Sequence, residues 1–208
     1  MEQTKLSISA PNFKTAIFTI VGNAPYVQNK FSQKISDQMH DKQVAGSTAK
    51  KGAKRDGKNF EEAYQGAMHT SSDGWHGIPA PAFRNAMVSA CRIVGFQMTK
   101  AKLAVFIEAD GFDPDDATPL VKITKGEPKY SELPVRVANG QPDLRARPMW
   151  DVGWQAIVRV RFDADMFTLE DITNLMMRVG QQVGVGEGRP DSKNSTGMGW
   201  GTFDLQGE

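Results

Sequence analysis

The spacing of apolar residues predicts four strands. They lie at residues 15–22, 103–108, 154–162 and 200–205. The third gives the clearest signal, because apolar residues at its even-numbered positions alternate with a set that includes Arg159 and Arg161. Such alternation is typical of a strand with one buried face, so both arginines should point away from the core.

Two segments carry apolar residues at the spacing of a helix. The apolar face of the first comprises Phe83, Met87, Ala90, Cys91 and Val94. That of the second comprises Leu169, Ile172, Leu175, Met176 and Val179. The first helix should begin at Pro81 and end before Gly95. The second should begin at Thr168, with Asp171 completing a capping box, and end at Gly180.

Two long insertions separate these elements. Residues 32–76 are polar with few large apolar side chains, which predicts a flexible basic insertion. Residues 110–150 contain six prolines and predict an irregular insertion, with short strands at 120–124 and 135–137. Without the insertions the order is βαββαβ. We therefore predict a single α+β domain over residues 1–208, with the ferredoxin-like core that RNA-recognition modules also use and insertions after its first two strands.

Composition restricts the class of protein. The 25 basic residues are balanced by 24 acidic ones, so an electrostatic site must come from local clustering. The single cysteine, Cys91, excludes an internal disulfide and indicates a reducing compartment. We see no apolar leader and no run long enough to span a membrane. A cytoplasmic protein is expected.

A glycine-rich loop at residues 184–201 is the best functional signal. Glycine is favoured where φ is positive or where another chain approaches closely, and successive free N–H groups bind phosphate. The predicted phosphate contacts are Gly184, Gly186, Gly188 and Arg189. A guanidinium matches phosphate oxygens as a planar fork. The alternative is a turn arginine paired with Glu187 or Asp191.

Other basic and aromatic residues are candidates for the same ligand. In the first insertion, an arm that follows a phosphate backbone would use Lys50, Lys51, Lys54, Arg55 and Lys58. Elsewhere the candidates are Arg84, Arg145, Arg147, Arg159 and Arg161. For each set the alternative is an ordinary solvated surface. Trp75 stands in a polar turn and should stack on an unpaired base or be covered by a neighbouring subunit. Phe31, Trp150 and Trp200 are further stacking candidates.

Two motifs resemble those of one known family. Residues 77–86 read GIPAPAFRNA, with Ala80 and Pro81 in place of a Gly-Ser pair, and residues 184–201 form the glycine loop, interrupted by Glu187. They are similar to the first-helix motif and the C-terminal loop of the RAMP superfamily, ferredoxin-fold proteins that form the backbone of CRISPR effector complexes. The layout also resembles phage-encoded relatives, which would place the protein in the cytoplasm of a bacterial host. The resemblance implies a repeating subunit that binds single-stranded nucleic acid.

We therefore predict a non-enzymatic protein that binds single-stranded DNA or RNA with little sequence preference, self-associates along the strand, and needs no cofactor or metal. One alternative is a metal-independent endoribonuclease of the same superfamily with His40 or His69 as acid and base. Another is a viral structural or assembly protein. The aspartates near residue 113 lack the pattern of a calcium loop and should solvate a loop.

Overall fold

A seven-stranded antiparallel sheet forms the centre of the computed structural model, which describes residues 8–31, 40, 43–44, 57, 59–136, 142–192 and 198–207. The strands of the described chain are β1 (Phe13–Gly22), β2 (Tyr26–Val27), β3 (Gly77–Pro79), β4 (Val105–Glu108), β5 (Gly111–Phe112), β6 (Pro119–Lys125), β7 (Lys129–Arg136), β8 (Pro142–Trp150), β9 (Gln155–Asp163) and β10 (Phe203–Leu205). The helices are α1 (Phe60–Gln65), α2 (Ala80–Ile93), α3 (Met98–Ala104) and α4 (Leu169–Arg178). Helix α4 continues into a π-helical turn at Val179–Val183.

The large sheet is built around the pair β1 and β9. Their register runs from Phe13 opposite Asp163 to Val21 opposite Gln155. Strand β10 pairs with the other edge of β1, while β4 and β6 share the other edge of β9. Strands β10, β1, β9 and β4 are therefore neighbours in that order. A second sheet of three strands has the order β2–β8–β7.

Helices α2 and α4 cover one face of the large sheet. The buried residues of β9, such as Val158 and Val160, belong to the same core as Phe83 and Met87 of α2. Each fully buried side chain of this size contributes about 1.5–3 kcal/mol relative to exposure. The predicted alternation in β9 is confirmed, since its burial alternates along the whole strand. The result is an α+β fold.

Both predicted helices are present. A capping box joins Thr168 and Asp171, and Gly95 follows α2 with a φ of 74°. Two residues predicted on the apolar faces, Val94 and Leu169, are exposed instead, because they lie at or beyond helix ends. Gly180 does not end α4. It lies in the π-helical turn, where a Cβ would overlap the carbonyl oxygen of Phe203.

The second insertion differs from its prediction. Within residues 111–136 and 142–150 the chain forms strands β5 to β8. The predicted strand at 120–124 is present as β6, whereas β7 and β8 make a long hairpin in place of an irregular segment. Pro134 is tolerated because it lies in β7, an edge strand. Helix α3 was not predicted, and it shortens the expected strand at 103–108 to Val105–Glu108. Trp150, a stacking candidate, is buried beside Tyr26.

The first insertion is described only in part. Residues 59–76 contain α1 and a buried stretch at 67–69, which the composition did not predict. The predicted nucleic-acid contacts Lys50, Lys51, Lys54, Arg55 and Lys58 lie outside the described residues. Within the described part of the chain, no helix has the length and apolar character needed to cross a membrane.

Replacing Gly201 with alanine should lower the free energy of unfolding by about 2–4 kcal/mol, because Gly201 has a φ of 69° and a Cβ would overlap the Val185 carbonyl. Gly199 is a matched control, since its φ is 68° but nothing lies within 4 Å of an added Cβ. Its alanine variant should lose only about 1 kcal/mol from backbone strain. Urea unfolding of the two variants measures the difference, and equal losses would contradict the close packing at Gly201.

Candidate nucleic-acid interface

A narrow cleft lies between α2 and the glycine-rich loop. Its volume is about 240 Å³, and it is lined by Ala82, Asn85, Ala86, Ser89, Val183, Val185, Gly186, Arg189 and Asp191. The α2 residues lie three, four and seven positions apart, which places them on one helical face. The first turn of α2 has no acidic residue and no side-chain cap. Its helix dipole therefore leaves a positive potential near Ala82.

The glycines of the loop pack against the protein itself. Gly184, Gly186 and Gly188 have φ values of 71°, 83° and 75°. A Cβ on Gly186 would lie 2.5 Å from the carbonyl oxygen of Val27, and one on Gly188 would overlap the Trp200 ring. These contacts explain the glycines without a ligand. They correct the expectation that glycine was needed for a phosphate backbone to approach.

Several backbone N–H groups of the loop are also used internally. The N–H of Val185 donates to the Gly201 carbonyl at 3.0 Å, and the N–H of Glu187 donates to the Val27 carbonyl at 2.9 Å. An anion nest needs successive N–H groups that are free. These two groups are therefore not free to form the predicted nest.

Arg189 lies at the cleft and is half-buried. Its Nη1 donates to the Gly186 carbonyl at 3.1 Å. Neither of its predicted acidic partners forms an ion pair with it among the described residues: Asp191 pairs with Arg92 at 2.8 Å, and Glu187 pairs elsewhere. Arg189 is thus not held by an ion pair with Glu187 or Asp191 among the described residues, although its charge acts on Asp191.

The Asp191 carboxylate has its own partners. A hydrogen bond with Ser89 is the main reason that the pKa of Asp191 lies below its ordinary value. Burial opposes this effect, while Arg92 and Arg189 reinforce it. Asp191 therefore stays charged at neutral pH and links the loop to α2.

Arg145 and Arg147 project from the same face of β8, as their spacing predicts, and reach the glycine loop. Nε of Arg147 donates to Glu187 Oε2 at 2.7 Å, and Arg145 Nη1 lies 3.9 Å from Glu187 Oε1. Arg145 also lies 3.5 Å from Asp143. The fold thus brings two arginines of β8 to the loop that also carries Arg189, although more than 40 residues separate Arg147 from Arg189 in sequence.

Arg159 and Arg161 lie on the opposite face of the large sheet. Arg159 forms ion pairs with Asp110 and Glu108. The guanidinium of Arg161 lies 5.2 Å from the ring centre of Phe13 and 5.3 Å from that of Phe106. Both arginines therefore lie on the face of the sheet that α2 does not cover.

Two other predicted contacts are occupied by the fold. Arg84 donates from Nε to the Val105 carbonyl at 3.0 Å and also to the Lys102 carbonyl, so it joins α2 to the start of β4. The Trp75 ring packs against Gly77 and Gly111, and Lys122 lies 5.8 Å from its centre. From the sequence, both residues were expected to project freely from a polar surface, and neither does.

An anchor that the sequence analysis missed lies beside the first insertion. The Asp113 carboxylate is 2.8 Å from Lys30 Nζ and 2.8 Å from His69 Nδ1, and all three residues are buried. Lys30 N–H also donates to the Ala67 carbonyl at 2.9 Å. The two ends of the segment between residues 31 and 68 are therefore fixed at one carboxylate. Sequence spacing gives no signal for this, because the residues come from three distant segments.

The charges of this anchor are mutually compensated. Burial would raise the pKa of Asp113, but hydrogen bonds from Lys30, the Asp115 N–H and His69 bring that pKa below its ordinary value. Burial would lower the pKa of Lys30, and its contacts with Asp113 and Asp115 raise it. Burying an ion is costly unless it is paired and hydrogen-bonded. Each member of the anchor therefore depends on the others.

The same cluster has the spacing of a metal site. Ligand atoms of His69, Asp113 and Asp116 lie within 4.8 Å of one another. However, the Lys30 ammonium already contacts Asp113 at 2.8 Å and Asp115 at 2.6 Å. Because a cation of the protein occupies this position, the donor set is accounted for without a metal ion. From the sequence, these aspartates were expected only to solvate a loop. That expectation is wrong for Asp113, which is 1% exposed.

Comparison with known proteins gives a likeness of fold. No family model matches the chain, and no curated protein matches it. A chain of a solved structure described as "Cryo-EM structure of the Type III-B Cmr-beta bound to cognate target RNA" matches with a TM-score of 0.53 and 8% sequence identity. The match covers 94% of this chain and 60% of that chain. This likeness is consistent with the RAMP-like fold that the two sequence motifs imply.

Proposed function

We propose that this protein binds single-stranded nucleic acid, with little sequence preference, through the cleft beside α2 and the arginines of β8 and the glycine loop. The observation that carries the proposal is that Arg145 and Arg147 of β8 reach Glu187 of the glycine loop, while Arg189 of the same loop lines the cleft beside α2. Guanidinium groups pair with phosphate oxygens in a fixed geometry that does not depend on the base. Binding should therefore depend on the backbone rather than on sequence.

The arrangement of the sheet supports this proposal. The order β10–β1–β9–β4 is the one expected for the four strands of a ferredoxin-like βαββαβ core, which RNA-binding modules use. The structure that matches in fold is described as bound to target RNA. At 8% identity this concerns fold alone. We extend it to RAMP-like function because the two sequence motifs border the cleft.

The polar face of α2 would assist the arginines. The uncapped first turn of α2 offers a positive dipole end, to which phosphate is attracted. Asn85 and Ser89 add hydrogen-bonding groups along the same wall. The basic arm, with Lys50, Lys51, Lys54, Arg55 and Lys58, would then follow the strand beyond the cleft. Its base is fixed by the anchor at Asp113.

Self-association along the strand is part of the proposal. A cleft of about 240 Å³ accepts no more than a short stretch of backbone, so tight binding would need several subunits in a row. Light scattering on a size-exclusion column, with and without an oligonucleotide, would measure the number of subunits. A single subunit on a long oligonucleotide would contradict this part.

A ribonuclease is the second candidate, and the pairing of His69 Nδ1 with Asp113 at 2.8 Å favours it. Such a pair orients an imidazole for proton transfer. However, the His69 side chain is only 9% exposed, so a substrate would have little access to it. We propose a non-enzymatic role. RNA that is cleaved in the presence of a chelator, and not cleaved by a His69→Ala variant, would reverse this choice.

The salt dependence of binding tests the proposed function. Fluorescence anisotropy with uniform single-stranded RNA and DNA should show affinity falling at least about tenfold between 50 and 200 mM salt, since each neutralised phosphate contributes about −0.7 to the logarithmic slope. A duplex of the same length serves as a comparison and should bind more weakly. No binding at any salt concentration would favour a structural or assembly protein instead.

A further inference from the structure

The glycine loop that was predicted to bind phosphate contains an acidic residue, Glu187. Its carboxylate lies between two arginines of β8, with Oε2 accepting from Arg147 at 2.7 Å and Oε1 lying 3.9 Å from Arg145. The side chains of Glu187 and Arg147 are 22% and 11% exposed. The pair is thus largely withdrawn from solvent but not sealed.

The position of Glu187 is fixed by the loop that carries it. Its own N–H donates to the Val27 carbonyl at 2.9 Å. On either side, Gly186 and Gly188 have positive φ values, and each is pressed against the protein's own chain. The carboxylate is therefore held in place beside β8 rather than carried on a freely moving segment.

A carboxylate in this position resembles a bound phosphate. Both anions accept hydrogen bonds from guanidinium groups through two oxygens in the same planar geometry. Each oxygen of Glu187 is nearest to a different arginine, which is the arrangement that a phosphate bridging Arg145 and Arg147 would adopt. Arg189, by contrast, donates to the carbonyl of Gly186.

We propose that Glu187 is an internal competitor for nucleic-acid phosphate. In the free protein it occupies the anion position of Arg145 and Arg147, and a phosphate of the bound strand displaces it. This inference rests on the proposed function and adds an explanation of what limits the affinity of that site. Because each binding event must release an existing ion pair, the strand binds more weakly and leaves more readily.

The test is the affinity of Glu187→Gln for a single-stranded oligonucleotide, measured by fluorescence anisotropy. The amide keeps the shape of the side chain but removes its charge. Binding should therefore tighten by about tenfold, because displacing the side chain no longer breaks a charge-assisted hydrogen bond. The gain should appear mainly as slower dissociation. Glu187→Asp, which retracts the carboxylate from Arg147, should show a smaller gain in the same direction.

A distant acidic residue provides the matched control. Glu170 is exposed in the first turn of α4, and Glu170→Gln makes the same change in net charge. Its affinity should stay within about twofold of the unaltered protein. Equal gains for both glutamine variants would indicate a general charge effect and overturn the inference.

The remaining outcomes separate the two proposals. If the unaltered protein binds and Glu187→Gln, shown to be folded by thermal unfolding, binds equally or more weakly, the ion pair only fastens β8 to the loop and the inference is wrong. If Glu187→Gln does not fold, the Glu187→Asp variant decides in the same way. If the unaltered protein binds no single strand, the proposed function itself fails.

Discussion

Replacing Asp113 with asparagine is expected to lower the free energy of unfolding by about 3–5 kcal/mol, the usual cost of removing one partner from a buried ion pair. Asp113 is 1% exposed and is the common partner of Lys30 and His69. Asparagine retains the shape but leaves the Lys30 ammonium with Asp115 alone, whose side chain is 58% exposed. Urea unfolding at neutral pH measures the loss.

Asp116 is a suitable control for this variant. It belongs to the same loop, but it is exposed, and its carboxylate accepts a hydrogen bond from the Thr118 N–H. Asp116→Asn should cost no more than about 1 kcal/mol. Adding Lys30→Met to Asp113→Asn should recover part of the stability, because no unpaired charge then remains buried. Equal losses for Asp113→Asn and Asp116→Asn would contradict the anchor.

The stability of the anchor should also depend on pH. The pKa of Asp113 is lower in the folded protein than in the unfolded chain. Its contribution is therefore fully present above the ordinary aspartate pKa and is lost as the pH falls through the lowered, folded-state value. The Asp113→Asn variant should lack this part of the acid-induced loss. Unfolding curves between about pH 2 and 6 would show the difference.

Neutralising Arg145, Arg147 and Arg189 together is expected to weaken the binding of single-stranded nucleic acid by about a hundredfold or more at low salt, since each charged hydrogen bond contributes about 1.5–3 kcal/mol and such effects are not fully additive. The three substitutions to glutamine should also reduce the logarithmic salt slope by about 2. Anisotropy titrations at several salt concentrations provide both values.

The arginines of the open sheet face supply the control for this experiment. Changing Arg159 and Arg161 to glutamine removes two positive charges, against three in the triple variant. These two arginines lie on the face that α2 does not cover. Their variant should bind within a fewfold of the unaltered protein. If it loses binding while the triple variant retains it, the nucleic acid lies on the sheet rather than in the cleft.

The core elements could be predicted because their signals are local. The alternation along β9 and the Thr168–Asp171 capping box each arise within one element, and the structure contains both. The hairpin of β7 and β8 could not be predicted in this way. Its prolines indicate an irregular chain when considered alone, and only the pairing of two strands shows that Pro134 lies at an edge.

The candidate site was predictable in its residue types but not in its contacts. Sequence reasoning selected Arg145, Arg147 and Arg189 because a paired spacing and a glycine context mark them, and their contact with nucleic acid stays a prediction. It interpreted the glycines as ligand contacts, whereas packing against Val27 and Trp200 explains them. The anchor at Asp113 gave no signal at all, since long-range ion pairs leave no pattern in a single sequence.

Hydrogen–deuterium exchange with and without a single-stranded oligonucleotide tests the central claim most directly. The account predicts slower exchange in peptides that cover the loop at residues 184–192, the β8 arginines and the first turns of α2. Peptides of β1 and β9 should change little. Protection confined to β1 and β9, with the loop and β8 unchanged, would contradict the proposed interface.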